Sequence, residues 1–316
     1  MDDIGIEPLA IHRLPVGNGG SGQRLGEMIT RYGEHLLHRK PDLVVVFGDV
    51  DATLAAAIAA KRHGYPVAHV EAGLRSHDRR MPEELNRLMV DAIADMFFTT
   101  TADASGTLRS EGQDAQRIHL VGNLMIDSLY RSLDLQAGRR HAEALGLAPG
   151  RFIVATFHRP SNVDDRHSLQ RVLEILEQAA GRLPVLLPLH PRTAAALERH
   201  GLMGRIQAIS GLHLGPSIRY RDFISLVAAA RLVITDSGGI QEETTVLGIP
   251  CLTFRENTER PETITHGTNR LVDIANARQH LDEVLQSRPV SRPEIPLWDG
   301  KCARRIAEVL EEWWAQ

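Results

Sequence analysis

A repeated alternation constrains this chain most. Short β-branched runs end in small or acidic residues, and helical stretches follow them. DLVVVFGD (42–49) is followed by the helical ATLAAAIAAKRHG. PVAHVEAG then reads as a strand, PEELNRLMVDAIAD as a helix and MFFTTT as a strand. RIHLVGN is expected to be the next strand and MIDSLYRSL a helix. Strands that alternate with helices predict α/β units around a parallel sheet.

A polar connector, QAGRRHAEALGLAPGR, separates this series from a second one. The second holds FIVATFH, PVLLPLH, GLHLG, RLVITDS and PCLTF as strands, with a helix over DFISLVAAA. A length of 316 residues suffices for two domains. The reading is therefore 1–145 for the first, rejoined by a C-terminal helix at 300–316, and 146–299 for the second. That last helix, CARRIAEVLEEWWAQ, has amphipathic spacing, and its tryptophans argue for docking. A net charge of −4 excludes a general nucleic-acid or membrane binder. No run approaches the roughly 18–20 apolar residues of a membrane span, and MDDIGIEPLA lacks the features of a signal peptide. Cys251 and Cys302 have no metal-ligand spacing, so a cytoplasmic location and no metal are expected.

Ligands of open α/β sheets sit beyond the carboxyl ends of strands. Asp49 closes VVVFGD there, where its bland reading is a loop or N-cap residue. Glu71 ends the apolar strand HVEAG and is either paired structurally or poised for proton transfer. MPEELNR opens a helix with Pro82 and two acidic residues, as the helix dipole prefers. Glu83 and Arg87 stand four apart and fit a surface ion pair worth about 0.3–0.5 kcal/mol. Carboxylates at three such places would also serve acid/base chemistry.

The second series offers anion binders. His158 and Arg159 follow IVATF, and His190 follows VLLPL. In VITDSGGIQEETTVLGIPCL a strand ends on a glycine turn that opens a helix. Free N–H groups at such a helix start bind phosphate oxygens, and Gly238 and Gly239 admit close approach. Ser237 is at the N-cap position, but the capping-box position three residues on is Ile240. Glu242 and Glu243 point about 100° apart on a helix, so one face cannot use both. Arg260 in ENTERPE adds a fixed positive charge.

GDVDATLAAAIAA, HVEAGLRS, MPEELNR, ATFHRPSN, PLHPRT, TDSGGIQEE and TERPETITHGTNRLV, in this order, closely resemble the non-hydrolysing UDP-N-acetylglucosamine 2-epimerases. The resemblance implies a GT-B fold: two Rossmann-like domains with a cleft between them, the nucleotide held mainly by the second, and a final helix returning to the first. It implies interconversion of UDP-GlcNAc and UDP-ManNAc by elimination of UDP to 2-acetamidoglucal and re-addition, with neither redox cofactor nor metal. Asp49, Glu71 and Glu83 match the family's acid/base carboxylates. His158 matches the histidine near the diphosphate, Ser237 and Gly238 the diphosphate turn, and Arg260 the active-site arginine. Glu243 matches the residue that takes the ribose hydroxyls. Phe223 matches, more loosely, an aromatic at the uracil. Arg87 and His190 match positions near the substrate and an allosteric nucleotide. The family implies a homodimer and UDP-GlcNAc as activator.

Family members begin with an apolar strand followed by GTRPE or GARPQ and then a lysine, and that opening is absent here. The first domain is therefore expected to be incomplete at its N-terminus, with DLVVVF at an apolar sheet edge and weak or no activity. Three other readings compete. One is a 2-epimerase of another UDP-2-acetamido sugar, such as a 2,3-diacetamido uronate. The others are a GT-B UDP-sugar glycosyltransferase and an inactive UDP-binding relative.

Overall fold

The computed structural model describes residues 12–287 and 292–315, so the reading of residues 1–10 lies outside the described residues. Residues 12–127 and 296–315 form one compact unit, and 128–287 with 292–295 form another. Each is an α/β layer structure.

The first unit holds four parallel strands in the order β1 (Val44–Phe47), β2 (Val67–Ala72), β3 (Met96–Thr99) and β4 (Ile118–Leu120). The β-branched and aromatic residues of β2 and β3 are buried on both faces, as a parallel sheet requires. Among the described residues β1 is an edge strand, and Phe47 at its end is 53% exposed. Leu54, Ala57, Ala60 and Val90 from the helices Asp51–Arg62 and Pro82–Ile93 pack one face. Leu36 joins them from a helix over Ser21–Arg39 that the sequence reading did not identify.

The helix Cys302–Trp314 covers the other face. Cys302, Ile306, Val309, Leu310 and Trp313 pack with Ala68, Val70 and Phe98, whereas Trp314 stays exposed. Asp127 caps this helix by accepting from the backbone N–H groups of Cys302 and Ala303, at 3.0 and 2.7 Å. Trp298 anchors the approach through its indole N–H to the Thr100 carbonyl at 3.1 Å.

The second unit has six parallel strands: β5 (Ile153–Thr156), β6 (Val185–Pro188), β7 (Leu212–Gly215), β8 (Leu232–Thr235), β9 (Cys251–Thr253) and β10 (Asn269–Leu271). Their order is β10-β9-β8-β5-β6-β7, so the direction of winding reverses between β5 and β8. In open α/β sheets that reversal opens a crevice for ligands beyond the strand ends. The strand β10 lies within the motif TERPETITHGTNRLV and is not among the strands expected from sequence. Residues 128–144 also belong to this unit, ahead of the expected boundary at 145. The cause is the helix Leu135–Ala144, which packs on the helix Tyr220–Ala229. The Asp134 N–H donates to the Ser225 hydroxyl at 3.1 Å beside that contact.

Candidate active site

In the first unit the chemistry-bearing residues lie at the carboxyl ends of β1 and β2 and at the start of the helix Pro82–Ile93. Asp49 follows the end of β1. Its carboxylate pairs with Arg87, which is only 2% exposed. Arg87 also donates to Oε2 of Glu84, at 3.0 Å from Nε and 2.8 Å from Nη2. The expected surface pair of Arg87 with Glu83 is thus replaced by a buried bridge from Glu84 to Asp49. A charge removed from water needs partners of this kind.

Glu84 is a residue that sequence reasoning assigned only to the helix dipole. Its carboxylate also accepts from the N–H groups of Ser76 and His77, both at 2.9 Å, and from the Ser76 hydroxyl at 3.0 Å. Burial raises its pKa, but the Ser76 N–H, Arg87 and the His77 N–H together hold it below the usual carboxylate value. Glu84 therefore ties the loop after β2 to the arginine that holds Asp49. Glu83 is half-buried, one helical turn before Arg87 and so on the same helix face.

Glu71, half-buried, has a left-handed backbone (φ 71°) inside a strand, where a residue bearing a Cβ is rarely found. The strand is irregular at this point: the pairing with β3 shifts between Val70 and Ala72. Gly73 follows at φ 81°, and a Cβ there would lie 2.3 Å from the Ala104 carbonyl oxygen. The bulge re-aims one side chain at the sheet rim, a common device beside active sites. A Cβ built on Gly48 would lie 3.9 Å from Oε2 of Glu71, so this carboxylate reaches over the turn that carries Asp49.

In the second unit the candidate residues gather where the winding reverses. Thr156 and Thr235 are in register at the ends of β5 and β8, and their hydroxyls are 2.7 Å apart. Beyond them Asp236 is fully buried and was not assigned a role from sequence, although it ends a strand as Asp49 does. It accepts from the N–H groups of His158 and Arg159, at 3.1 and 2.9 Å, and from the Asn162 amide at 3.1 Å. His158 Nδ1 is also 3.1 Å from its Oδ1. Burial pushes the Asp236 pKa up, yet His158, the Arg159 N–H and Asn162 bring it below the ordinary value. Asp236 thereby fixes the His158 ring, which stands 5.3 Å from that of His190. His190 caps the helix Pro191–Arg199 by accepting from the Arg192 N–H, and burial followed by the charge of His158 lowers its pKa.

The glycine turn opens the ten-residue helix Gly238–Leu247. Ser237 is at the N-cap position but its side chain makes no capping bond. The expected cap is therefore positional, and Ser237 leaves the first-turn N–H groups uncapped. Such groups suit an anion. Beside the turn, Arg260 lies between two carboxylates: its Nε is 3.0 Å from Oε1 of Glu242, and its Nη1 bonds to Glu259. Arg255 donates to the far oxygen of Glu259 at 2.7 Å. Burial alone would raise the Glu259 pKa, but Arg260 and Arg255 drive it far below the carboxylate range. Arg260 is thus a charge held in one place by Glu242 and Glu259. A Cβ on Gly238 would come within 2.8 Å of both Arg260 Nη1 and Glu259 Oε1, so a side chain there would have to displace the ends of that ion pair.

The neighbouring glutamate takes another partner. Tyr220, at the start of the helix Tyr220–Ala229, donates to Oε1 of Glu243 at 2.7 Å. Phe223, one turn on and half-buried, shares that helix face. Burial raises the Glu243 pKa to about 7, against the lowering influence of Tyr220 and Arg260. The structure thus brings Ser237, Gly238, Gly239 and Arg260 to one helix start, with Glu243 in the second turn of the same helix. It brings His158 and His190 to the neighbouring strand ends.

Comparison with known proteins covers nearly the whole chain. A family model described as UDP-N-acetylglucosamine 2-epimerase matches residues 1–311. A UDP-N-acetylglucosamine 2-epimerase homolog of Methanococcus maripaludis is 37% identical, over 98% of this chain and 88% of its own length. The UDP-2,3-diacetamido-2,3-dideoxy-D-glucuronate 2-epimerase of Pseudomonas aeruginosa is 38% identical, over 98% and 87%. The crystal structure of the Methanocaldococcus jannaschii UDP-GlcNAc 2-epimerase, in complex with UDP-GlcNAc and UDP, superposes with a TM-score of 0.86. That protein is 34% identical, with 94% of this chain and 83% of that one covered. The two Rossmann-like units are accordingly those of the GT-B fold, and the chain belongs to the UDP-N-acetylglucosamine 2-epimerase family.

Proposed function

We propose that this chain interconverts UDP-GlcNAc and UDP-ManNAc by eliminating and re-adding UDP. The supporting observation is that Asp49 and Glu71 stand at the ends of neighbouring strands, with Glu83 on the helix face of Arg87, the residue whose bridge to Glu84 holds Asp49. A weakly acidic C2 hydrogen needs carboxylates to remove a proton from one face and return one to the other. In the forward step a carboxylate takes the C2 proton. The C2–H electrons form the C1=C2 bond of 2-acetamidoglucal, and the C1–O bond breaks with its pair going to UDP. In return, UDP oxygen re-forms the C1 bond while C2 is protonated from the opposite face. The departing diphosphate needs preorganised donors, and that role is assigned to the first-turn N–H groups after Ser237, with Gly238, Gly239, His158 and Arg260. Glu243 is assigned to the ribose hydroxyls and Phe223 to the uracil. A homodimer, a cytoplasmic location, Arg87 near the substrate, and UDP-GlcNAc as an activator near His190 rest on the family resemblance.

A second substrate is favoured by one observation: the P. aeruginosa relative that acts on a diacetamido glucuronate is as similar as the M. maripaludis relative. Incubation with UDP-GlcNAc and, separately, with the UDP-2,3-diacetamido uronate separates the two. The proposal expects UDP-ManNAc from the first. Turnover of the uronate alone assigns the second substrate, and turnover of neither removes the epimerase reading.

A further inference from the structure

The first unit buries a histidine that the proton-transfer assignment does not use. His69 is on β2, two residues before Glu71, and is 0% exposed. Its Nδ1 lies 2.6 Å from Oδ1 of Asp91, and its Nε2 lies 2.9 Å from the carbonyl oxygen of Gly48. A carbonyl can only accept. Asp91 is held in its acceptor form as well, because its other oxygen takes the Arg75 guanidinium at 2.7 Å and the Gly73 N–H at 3.1 Å. Arg75 in turn donates to both oxygens of Glu111, at 2.9 and 2.6 Å.

A neutral imidazole has one N–H and one lone pair. Either tautomer would therefore aim a lone pair at an oxygen, inside a site closed to solvent, where an unmade hydrogen bond is expensive. Only the imidazolium donates to both partners. Charge balance agrees: Asp91 and Glu111 offset His69 and Arg75, as buried charges require.

We propose that His69 is held as an imidazolium and serves as a positioning residue for the proton-transfer carboxylates, with its Nε2–H fixing the Gly48 carbonyl and hence the turn that presents Asp49. Gly48 has a left-handed backbone (φ 63°), so an anchored carbonyl determines the direction in which the chain leaves β1. The same turn is the one over which Glu71 reaches. Burial disfavours the charged ring, but the Asp91 bond and charge, the Gly48 carbonyl and the Glu71 carboxylate outweigh it and raise the His69 pKa. The charged groups that face the ring are therefore Asp91 from the helix Pro82–Ile93 and Glu71 from its own strand, with Arg75 behind Asp91. The positioning role rests on the epimerase reading, whereas the protonation state does not.

Nitrogen NMR of histidine-labelled protein tests the charge directly, with the His69 signals identified by their loss in His69→Gln. The proposal expects both ring nitrogens to carry protons from about pH 6 to about pH 9, a range over which an ordinary histidine loses its charge. A neutral tautomer at neutral pH overturns it, as does a proton located on Asp91. Steady-state kinetics on the same variant tests positioning. The expected result is a kcat reduced by at least about tenfold, because small misplacements of reacting groups are costly, with affinity for UDP unchanged. Unchanged kcat alongside a protonated ring removes the positioning role. If the unaltered protein does not epimerise, the function above fails while the NMR result still decides the charge of His69.

Discussion

Tyr220 donates its phenolic hydrogen to Oε1 of Glu243 at 2.7 Å. Burial and the neighbouring carboxylate both push the Tyr220 pKa upward, so the hydroxyl stays protonated and can only donate here. One carboxylate oxygen is thereby occupied, and the other is left for a ligand. Tyr220→Phe removes an influence that lowers the Glu243 pKa, so that value rises from about 7. If ribose hydroxyls need the ionised carboxylate, UDP affinity increases as pH rises through this value. The variant should bind UDP about tenfold more weakly at neutral pH, in line with a hydrogen bond to a charged group. Its affinity should recover at higher pH than in the unaltered protein. Calorimetric titrations across pH check this, and an unshifted pH dependence counts against Glu243 at the ribose.

Arg260 is expected to matter for both stability and binding. Arg260→Ala leaves Glu242 and Glu259 buried, with the cation between them removed. Breaking such a pair costs about 3–5 kcal/mol. Thermal unfolding should show a lower Tm, and UDP binding should weaken. In Arg260→Ala with Glu242→Gln, part of the lost stability should return while the UDP affinity stays low. Unchanged affinity in the single variant would remove Arg260 from the nucleotide site.

The glycine turn gives a more local prediction. In Gly238→Ala the new Cβ would meet Arg260 and Glu259 at 2.8 Å, and both are locked by their ion pair. Overpacking of this kind costs about 1–3 kcal/mol. UDP affinity should fall by at least about tenfold through displaced donors, with the circular dichroism spectrum retained. Full affinity would show that the turn has room to spare.

Stability should pass through a maximum in weakly acidic solution. Glu84, Asp91, Asp236 and Glu259 have folded pKa values below their unfolded ones. Their contribution is present above about pH 4–4.5 and is lost as pH falls through the folded values. Glu243 and His69 are raised, so their contributions are present below the unfolded values and are lost as pH rises through the folded ones. Melting curves should place the highest Tm near about pH 5–6, with a steep loss below about pH 4. A Tm that climbs steadily to alkaline pH would contradict this balance.

Much of the fold was legible because most of its parallel strands are apolar runs. Five of them, β1, β2, β5, β6 and β8, end beside Asp49, Glu71, His158, His190 and Asp236. The short β10 was missed, since Asn269–Leu271 is three residues with one exposed arginine and has no apolar run. The helix Ser21–Arg39 was missed as well: it buries only Gly33 and Leu36 fully, and it has no side-chain cap to mark its start. At the sites, residue type revealed the strand-end carboxylates and the glycine turn. It could not reveal who pairs with whom. Arg87 reaches Asp49, thirty-eight positions away, through the fold and not through helical spacing. The two adjacent glutamates diverge as helix geometry requires, Glu242 toward Arg260 and Glu243 toward Tyr220, but those partners come from other elements.

Deuterium incorporation at C2 is the most direct measurement of the central claim, since it accumulates with time and registers even slow turnover. The protein is incubated with UDP-GlcNAc in deuterium oxide and the recovered UDP sugars are examined by NMR and mass spectrometry. The expected result is one deuterium at C2 in the recovered sugar nucleotide, lost in Glu71→Gln while UDP still binds. No incorporation by the unaltered protein would contradict the account, and incorporation that survives Glu71→Gln would remove Glu71 from the proton transfer.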